Sequence, residues 1–295
     1  MAQEISEPTV QPLKVTMNYL SSESQTPVVY LSEPPPGTKR DSTQIRRHEV
    51  TMHDARDVGR DPARAGSNRP APSADRERRL SLDLQGFELA THETKANDLW
   101  DPDQIRSIYY PEVEVLVAAA TGAEKVLAFD HNVRSYAKAK RGEDAAAMPV
   151  KFAHNDYTLA SEPKRVRQLL PAEEAEYRLQ RRFSVINVWK PITGPVLEAP
   201  LGICDARSIE RKDFIETNLV YADRIGEVYS VEYNPSQRWY YFSEMQSHEA
   251  MLIKCFDSLD DGRACFTAHS AFNDPNTPED APCRESIEVR TLVFY

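Results

Sequence analysis

Glycine is scarce, with ten residues in 295, and none of them falls in a phosphate-binding loop pattern. Walker and dinucleotide-binding folds need glycines where the backbone approaches phosphate, so neither is expected. Cysteine is scarcer still. Cys204, Cys255, Cys265 and Cys283 show no CxxC spacing, which excludes a dense disulfide framework or a cysteine-ligated zinc site and predicts free thiols in a reducing cytosol. Positive charge is also short: 36 Lys and Arg against 46 Asp and Glu leave a formal charge of -10. A nucleic-acid binder would need a basic surface, and the runs at Arg76–Arg79 and Arg178–Arg182 carry no interleaved aromatics for stacking. No apolar run is long enough to span a bilayer. The opening "MAQEISEPTVQPLK" has acids where a secretory signal would have its apolar core. The expectation is a cytoplasmic protein with neither a nucleic-acid nor a membrane partner.

What is present fits one sizeable domain. Hydrophobic residues make up 40% of the chain, and 295 residues is near the upper end for a single core, so residues 1–295 are read as one domain. Two stretches, "SEPPPGTKRDS" and "DPARAGSNRPAPSADRERR", are too rich in proline and charge to offset ordering entropy by burial. The second predicts a mobile loop at about 57–79. "LKVTMNYL" and "HEVTMHD" read as strands, "EKVLAFDHNVR" as a buried strand, and 161–182 as helical with a break near Pro171. "DPDQIRSIYYPEVEVLVAAATG" reads as a helix ending at Gly122, kinked or divided at Pro111.

After Arg182 short aromatic and β-branched runs dominate: "FSVINVWKPI", "EVYSVEY", "RWYYFSE", "AMLIKCFDS", "ACFTAHSAF" and "SIEVRTLVFY". Their spacing suits a sandwich or small barrel decorated by helices at the front.

Seven histidines compete for a chemical role. His48 and His92 lie in polar segments and read as solvated. His53-Asp54 and Asp130-His131 are adjacent pairs whose side chains leave opposite strand faces, so neither chelates one ion easily. His248, beside Glu249 at an expected helix start, reads as a surface residue. His154 and Asp156 in "KFAHNDYTLA" differ: at spacing two in extended chain both leave the same face, about 6.6 Å apart. An imidazole and a carboxylate that converge suit an iron-like divalent ion. A second imidazole, for which His269 in "CFTAHSAFNDP" is the candidate, would complete a facial triad with three open positions. Downstream, Arg284 and Ser286 share a face of the final strand and form a clamp for a carboxylate. Arg290 shares that face by parity and is a rival anchor.

The order histidine-x-aspartate, distant histidine, arginine-x-serine is that of Fe(II)/2-oxoglutarate dioxygenases. "INVWKPITGPVLEAPLGICDARSI", "WYYFSEM", "HSAFNDPNTPEDAPCRESIEVRTLVF" and "YYPEVEVLVAAATGAEKVLAFDHNVR" resemble the fungal AsaB, gibberellin desaturase and CmcJ/NvfI-type group from about Val15 to the C-terminus. The resemblance implies a mainly β fold with flanking helices around a double-stranded β-helix, a cupin-like jelly roll with iron at its mouth. It implies His154, Asp156 and His269 as iron ligands, Arg284 and Ser286 on the distal carboxylate of 2-oxoglutarate, and dioxygen as the other cosubstrate. The reaction would be hydroxylation, desaturation or endoperoxidation at a C–H bond of a small apolar secondary metabolite, terpenoid or meroterpenoid-like. A homodimer, or a heterodimer with a related subunit, is expected. Tyr109, Phe129, Tyr157, Trp189, Trp239 and Tyr240 are candidate substrate-pocket residues, though each alone reads equally as core.

Two departures stand out. Lys190 occupies the arginine place of an "NVWRP" pattern, and Gln237 the histidine place of "NPxHxW"; both are expected to touch the pocket lining. Position favours Arg284 over Arg290 if the strand carrying His269 lies antiparallel beside the last strand, because six residues further on is about 20 Å away. A catalytically silent homologue acting as a structural subunit is the alternative reading, and the intact ligand set opposes it. A cupin-like iron enzyme working without 2-oxoglutarate is opposed by Arg284 and Ser286.

Overall fold

The computed structural model describes residues 12–21, 23, 26–58, 80–143 and 146–295. The segment expected to be mobile, at about 57–79, lies outside these except for Asp57 and Val58. In chain order the strands are β1 (Leu13–Leu20), β2 (Val28–Tyr30), β3 (Ile45–Asp54), β4 (Phe87–Thr91), β5 (Lys125–Ser135), β6 (Ala146–Ala147), β7 (His154–Asn155), β8 (Phe183–Pro191), β9 (Leu201–Cys204), β10 (Phe214–Val220), β11 (Ile225–Val231), β12 (Trp239–Tyr241), β13 (Glu249–Asp257), β14 (His269–Ala271) and β15 (Glu285–Phe294). Helices α1 (Pro102–Gln104), α2 (Tyr110–Thr121), α3 (Tyr136–Lys140), α4 (Ser161–Leu169) and α5 (Ala172–Leu179) decorate them.

Two sheets form the jelly roll. One has nine strands in the order β1-β3-β12-β9-β14-β7-β11-β10-β2, the other six in the order β4-β13-β8-β15-β5-β6. Strand parity divides the six-stranded sheet cleanly. Val185, Trp189, Met251, Ile253, Leu292 and Phe294 face a core shared with Leu201, Ile203 and Tyr229 of the other sheet. Ile186, Val188, Leu252, Ile287 and Val289 face the other way, under α2, whose Val113 and Val117 are fully buried. Each of those valines contributes about 1.5–3 kcal/mol by leaving water. On the same parity Arg284, Ser286, Glu288 and Arg290 point to the inner face of β15, as does Asn187 on β8.

A bulge in β5 re-aims its second half. Against β15, Arg290 pairs with Asp130 but Thr291 pairs with Ala128, leaving Phe129 as the extra residue. Val133 then joins the cluster beneath α2, and His131 Nδ1 meets the Tyr110 hydroxyl at 2.7 Å. Asp130, Asn132 and Arg134 turn inward.

The structure differs from the expectation in three places along the chain. The 101–122 segment begins at an Asp101 cap, passes through a π-turn at Ile105–Tyr109 and continues as α2 to Gly122, which has φ +68°. Pro111 does not divide the helix: it follows directly on the π-turn, where the hydrogen-bond ladder already shifts and accommodates its missing N–H. His92 is not solvated; it is buried against the Tyr109 ring, centroids 5.5 Å apart. No helix starts at His248: Glu249 opens β13, the strand expected from "AMLIKCFDS", whose alternation supplies both cores. The strands β2, β4, β9 and β10 were not anticipated either.

Candidate metal centre and adjoining cavities

His154 and His269 come from segments more than a hundred residues apart, yet are direct cross-strand partners of β7 and β14. Cross-strand neighbours place their Cβ atoms about 4.5–5.5 Å apart, and here the imidazole centroids are 4.4 Å apart. Asp156 follows β7 by one residue, and its Oδ1 lies 3.5 Å from His154 Nε2. The three ligand atoms all fall within 4.8 Å of one another, the spacing that one ion can bridge.

Each ligand is oriented by a partner behind it. His154 Nδ1 donates to the Phe152 carbonyl at 2.7 Å, and His269 Nδ1 makes a longer contact, 3.4 Å, with the Thr267 carbonyl. A carbonyl only accepts, so each proton sits on Nδ1 and each Nε2 keeps a free lone pair. Burial, with His154 beside it, pushes the His269 imidazolium down to about 3, so the ring is neutral. Asp156 Oδ2 accepts from Asn187 Nδ2 at 2.8 Å and Arg290 Nε at 3.1 Å, leaving Oδ1 for an ion. Burial alone would raise the Asp156 carboxyl; the Arg290 guanidinium outweighs it and holds it well below the usual carboxylate range. Two imidazoles and one carboxylate on a single face fit a divalent iron-type ion.

Arg284 and Ser286 lie beside this group. Arg284 is buried over the Trp189 ring, with its guanidinium carbon 5.4 Å from the ring centroid. Its Nη1 donates to the Ala199 carbonyl and its main-chain N–H donates to Glu198 Oε2 at 3.1 Å. Arg284 Nε and Ser286 Oγ are buried without a hydrogen-bond partner among the described residues. Such orphaned donors each carry a desolvation penalty of about 1–3 kcal/mol, which a bound carboxylate would relieve. A narrow cavity of about 20 Å³ lies between Arg284, Arg134, Glu288, Trp189 and the two histidines. A much larger one, about 750 Å³, adjoins it, sharing Arg134, Val150 and His154 and bordered also by Asp156.

The rival arginine is fully engaged. Arg290 reaches Asp156, Asp130 at 2.9 Å and Glu288 at 3.4 Å. However, distance along β15 does not separate the two arginines as expected. β14 and β15 belong to different sheets, so His269 and Arg284 meet across the core and not along neighbouring strands.

Of the six candidate pocket aromatics, the structure brings two to the cavities: Trp189 lines the narrow one and Tyr157 the large one. Tyr109 is core beneath the six-stranded sheet, and Trp239 is core among β1, β3 and β9. Phe129, the bulge residue, carries Arg165 over its ring at 5.0 Å, and Tyr240 packs on Phe87 and His53; neither lines either of these two cavities. Lys190 has even parity on β8 and faces away from the site, donating to the His92 and Ser247 carbonyls. Gln237 bonds the Glu232 carbonyl and Asp213. Neither departure touches the pocket lining.

Asn187, Asp130, Asn132, Arg134 and Glu288 were missed. Asn187 had a signal, as a lone amide in the aliphatic run "FSVINVW" on the parity of Trp189. Arg134 had none, because the bulge that turns it inward depends on pairing with β15.

Comparison with known proteins agrees with this geometry. Residues 72–294 match the family described as an oxidoreductase/YMDC permease-like domain. The chain is 31% identical over 281 residues to the Fe(II)/2-oxoglutarate-dependent dioxygenase nvfI of Aspergillus novofumigatus, covering 90% of each. The chain belongs to the fungal Fe(II)/2-oxoglutarate-dependent oxygenases. It is also 32% identical over 238 residues to the hydroxylase/desaturase efuI of Hormonema carpetanum, covering 73% of this chain and 79% of that one. The solved structure of the iron and alpha-ketoglutarate-dependent endoperoxidase NvfI superposes with a TM-score of 0.80 at 27% identity, over 96% of this chain and 98% of that one. As an oxygenase of this family the protein is an oxidoreductase that uses Fe(II), 2-oxoglutarate and dioxygen. Among the described residues no helix is long and apolar enough to cross a membrane.

Proposed function

We propose that His154, Asp156 and His269 hold the Fe(II), that Arg284 and Ser286 bind the distal carboxylate of 2-oxoglutarate, and that the large cavity seats an apolar secondary metabolite. One observation carries the reading: a three-ligand face with free lone pairs adjoins a buried arginine and serine whose donors lack partners. When bound, iron and 2-oxoglutarate supply the activation of dioxygen that removes hydrogen from a C–H bond. The chain's own residues do the rest. Phe152 and Thr267 fix both imidazoles through their carbonyls, and Asn187 and Arg290 fix the Asp156 carboxylate. Val29, Leu31, Ile45, Leu219, Val228 and Phe152 give the large cavity an apolar wall that orients the substrate skeleton and excludes water. Hydroxylation, desaturation and endoperoxidation are the outcomes open to a substrate radical so held.

The same reading takes residues 1–295 as a single domain. Free cysteines support a reducing, cytoplasmic setting. A dimer would cover Leu31, Ile45 and Ile225, which are large, apolar and exposed at the cavity rim; sedimentation at several concentrations tests it. For the site, the test is anaerobic titration with Fe(II) and then 2-oxoglutarate, following visible charge-transfer absorption. Saturation at one iron and one 2-oxoglutarate per chain is expected. Iron binding without any response to 2-oxoglutarate would overturn the reading.

A further inference from the structure

Arg134 is a second cation in the narrow cavity, and nothing assigned so far uses it. It stands directly opposite Ser286, on the adjacent antiparallel strand β5, so the two residues start from Cα atoms about 4.5–5.5 Å apart. Its Nη1 donates to the Met148 carbonyl at 2.8 Å, and among the described residues no carboxylate pairs with it. Arg134, Arg284 and Glu288 line the same narrow cavity, and Arg134 alone of these also borders the large one. Two guanidiniums thus converge beside Ser286 with no carboxylate in an ion pair with either. Glu288, the carboxylate of that cavity, is ion-paired with Arg290 at 3.4 Å, so the two guanidiniums lack an anion of their own, an arrangement that a bound carboxylate would relieve. Arg134 is accordingly among the causes, after burial, that push the Arg284 guanidinium down to about 10.

We infer that Arg134 is a second cosubstrate-binding residue, gripping the distal carboxylate of 2-oxoglutarate from β5 while Arg284 and Ser286 grip it from β15. The inference rests on the proposed assignment of Arg284 and Ser286. A carboxylate has lone pairs enough for both guanidiniums and the hydroxyl. Room for it comes from the side chains: the cavity is about 20 Å³ as it stands, and Arg134 has the large cavity to swing into.

The test is calorimetric titration of the full-length, Mn(II)-loaded chain with 2-oxoglutarate and with 2-oxovalerate, which keeps the keto-acid head but lacks the distal carboxylate. Arg134→Gln removes the charge and keeps a shorter polar side chain; Arg134→Lys keeps the charge and serves as the second variant. Arg134→Gln should weaken 2-oxoglutarate at least about tenfold, the loss of one charge-assisted contact. It should leave 2-oxovalerate and Mn(II) binding within about twofold, and Arg134→Lys should recover part of the loss. Unchanged 2-oxoglutarate affinity in Arg134→Gln would overturn the inference, as would an equal loss for both ligands. Arg284→Gln separates the two levels. If it loses 2-oxoglutarate while Arg134→Gln does not, only the inference fails; if neither variant loses it, the cosubstrate site itself is misplaced.

Discussion

Replacing Arg284 and Arg290 in turn by methionine separates two arginines that share one strand face. Arg290 already spends its donors on Asp156 at 3.1 Å, Asp130 at 2.9 Å and Glu288 at 3.4 Å, so it has little left for a ligand. Its removal leaves buried carboxylates uncompensated, and breaking a buried pair from one side costs about 3–5 kcal/mol of stability. Arg284 has a buried Nε without a partner, and no carboxylate loses an ion pair when it goes. Its removal therefore costs little of that kind, but takes away a charge-assisted pair to 2-oxoglutarate worth about 2–5 kcal/mol. Arg284→Met should weaken 2-oxoglutarate at least about thirtyfold, with metal binding nearly unchanged. Arg290→Met should lower the urea midpoint while 2-oxoglutarate affinity changes less than about threefold. The assay is urea unfolding together with calorimetric titration of the metal-loaded chain at a temperature where both variants are folded. If Arg290→Met loses 2-oxoglutarate and Arg284→Met retains it, the anchor has been assigned to the wrong arginine.

Other outcomes follow from contacts away from that pair. Asn187→Leu removes the 2.8 Å bond to Asp156 and should weaken Fe(II) about 10–100-fold, as losing an outer-shell partner does; unchanged metal affinity would deny Asn187 that part. Lys190 is 1% exposed, and burial pushes its ammonium from 10.5 down to about 8. Between those values the unfolded chain holds the proton and the folded chain does not, so this group makes stability rise with pH across that window, by up to about 3 kcal/mol. Lys190→Met should flatten that part of the melting-temperature profile, and an identical profile in the variant would contradict the burial argument. Gly86 has φ +86° and an added Cβ would lie 2.0 Å from Thr267 Oγ1, whereas Gly122, at φ +68°, has open space. Gly86→Ala should therefore cost more than about 2 kcal/mol and Gly122→Ala about 1 kcal/mol in urea unfolding; equal costs would remove the steric contribution.

The aliphatic strands were the legible part of the chain. β8, β13 and β15 are buried on both faces, so their apolar residues run together and announce themselves without any partner. β9 is four residues with a glycine, and β10 carries "ETN" in its middle; only their neighbours make them strands. His154 and Asp156 were readable because two residues of extended chain fix their relation locally. What joins His269 to them is a single cross-strand pair, which depends on long-range register. The aromatics mark the limit. Tyr109 and Trp239 are bulky aromatics as buried as Trp189, and composition cannot tell which side of a sheet borders a cavity. Arg134 shows the same limit more sharply, since one extra residue at Phe129 decides whether it faces the site.

Iron stoichiometry tests the central claim most directly. The chain, His154→Ala and His269→Ala are each loaded anaerobically with Fe(II), freed of excess metal and assayed for bound iron, with circular dichroism to establish that they are folded. One iron per chain is expected for the unaltered protein, and almost none for either folded variant, because removing an imidazole leaves only two ligands from the chain. Full iron occupancy in both variants would show that the ion is held elsewhere and that His154, Asp156 and His269 are not its site.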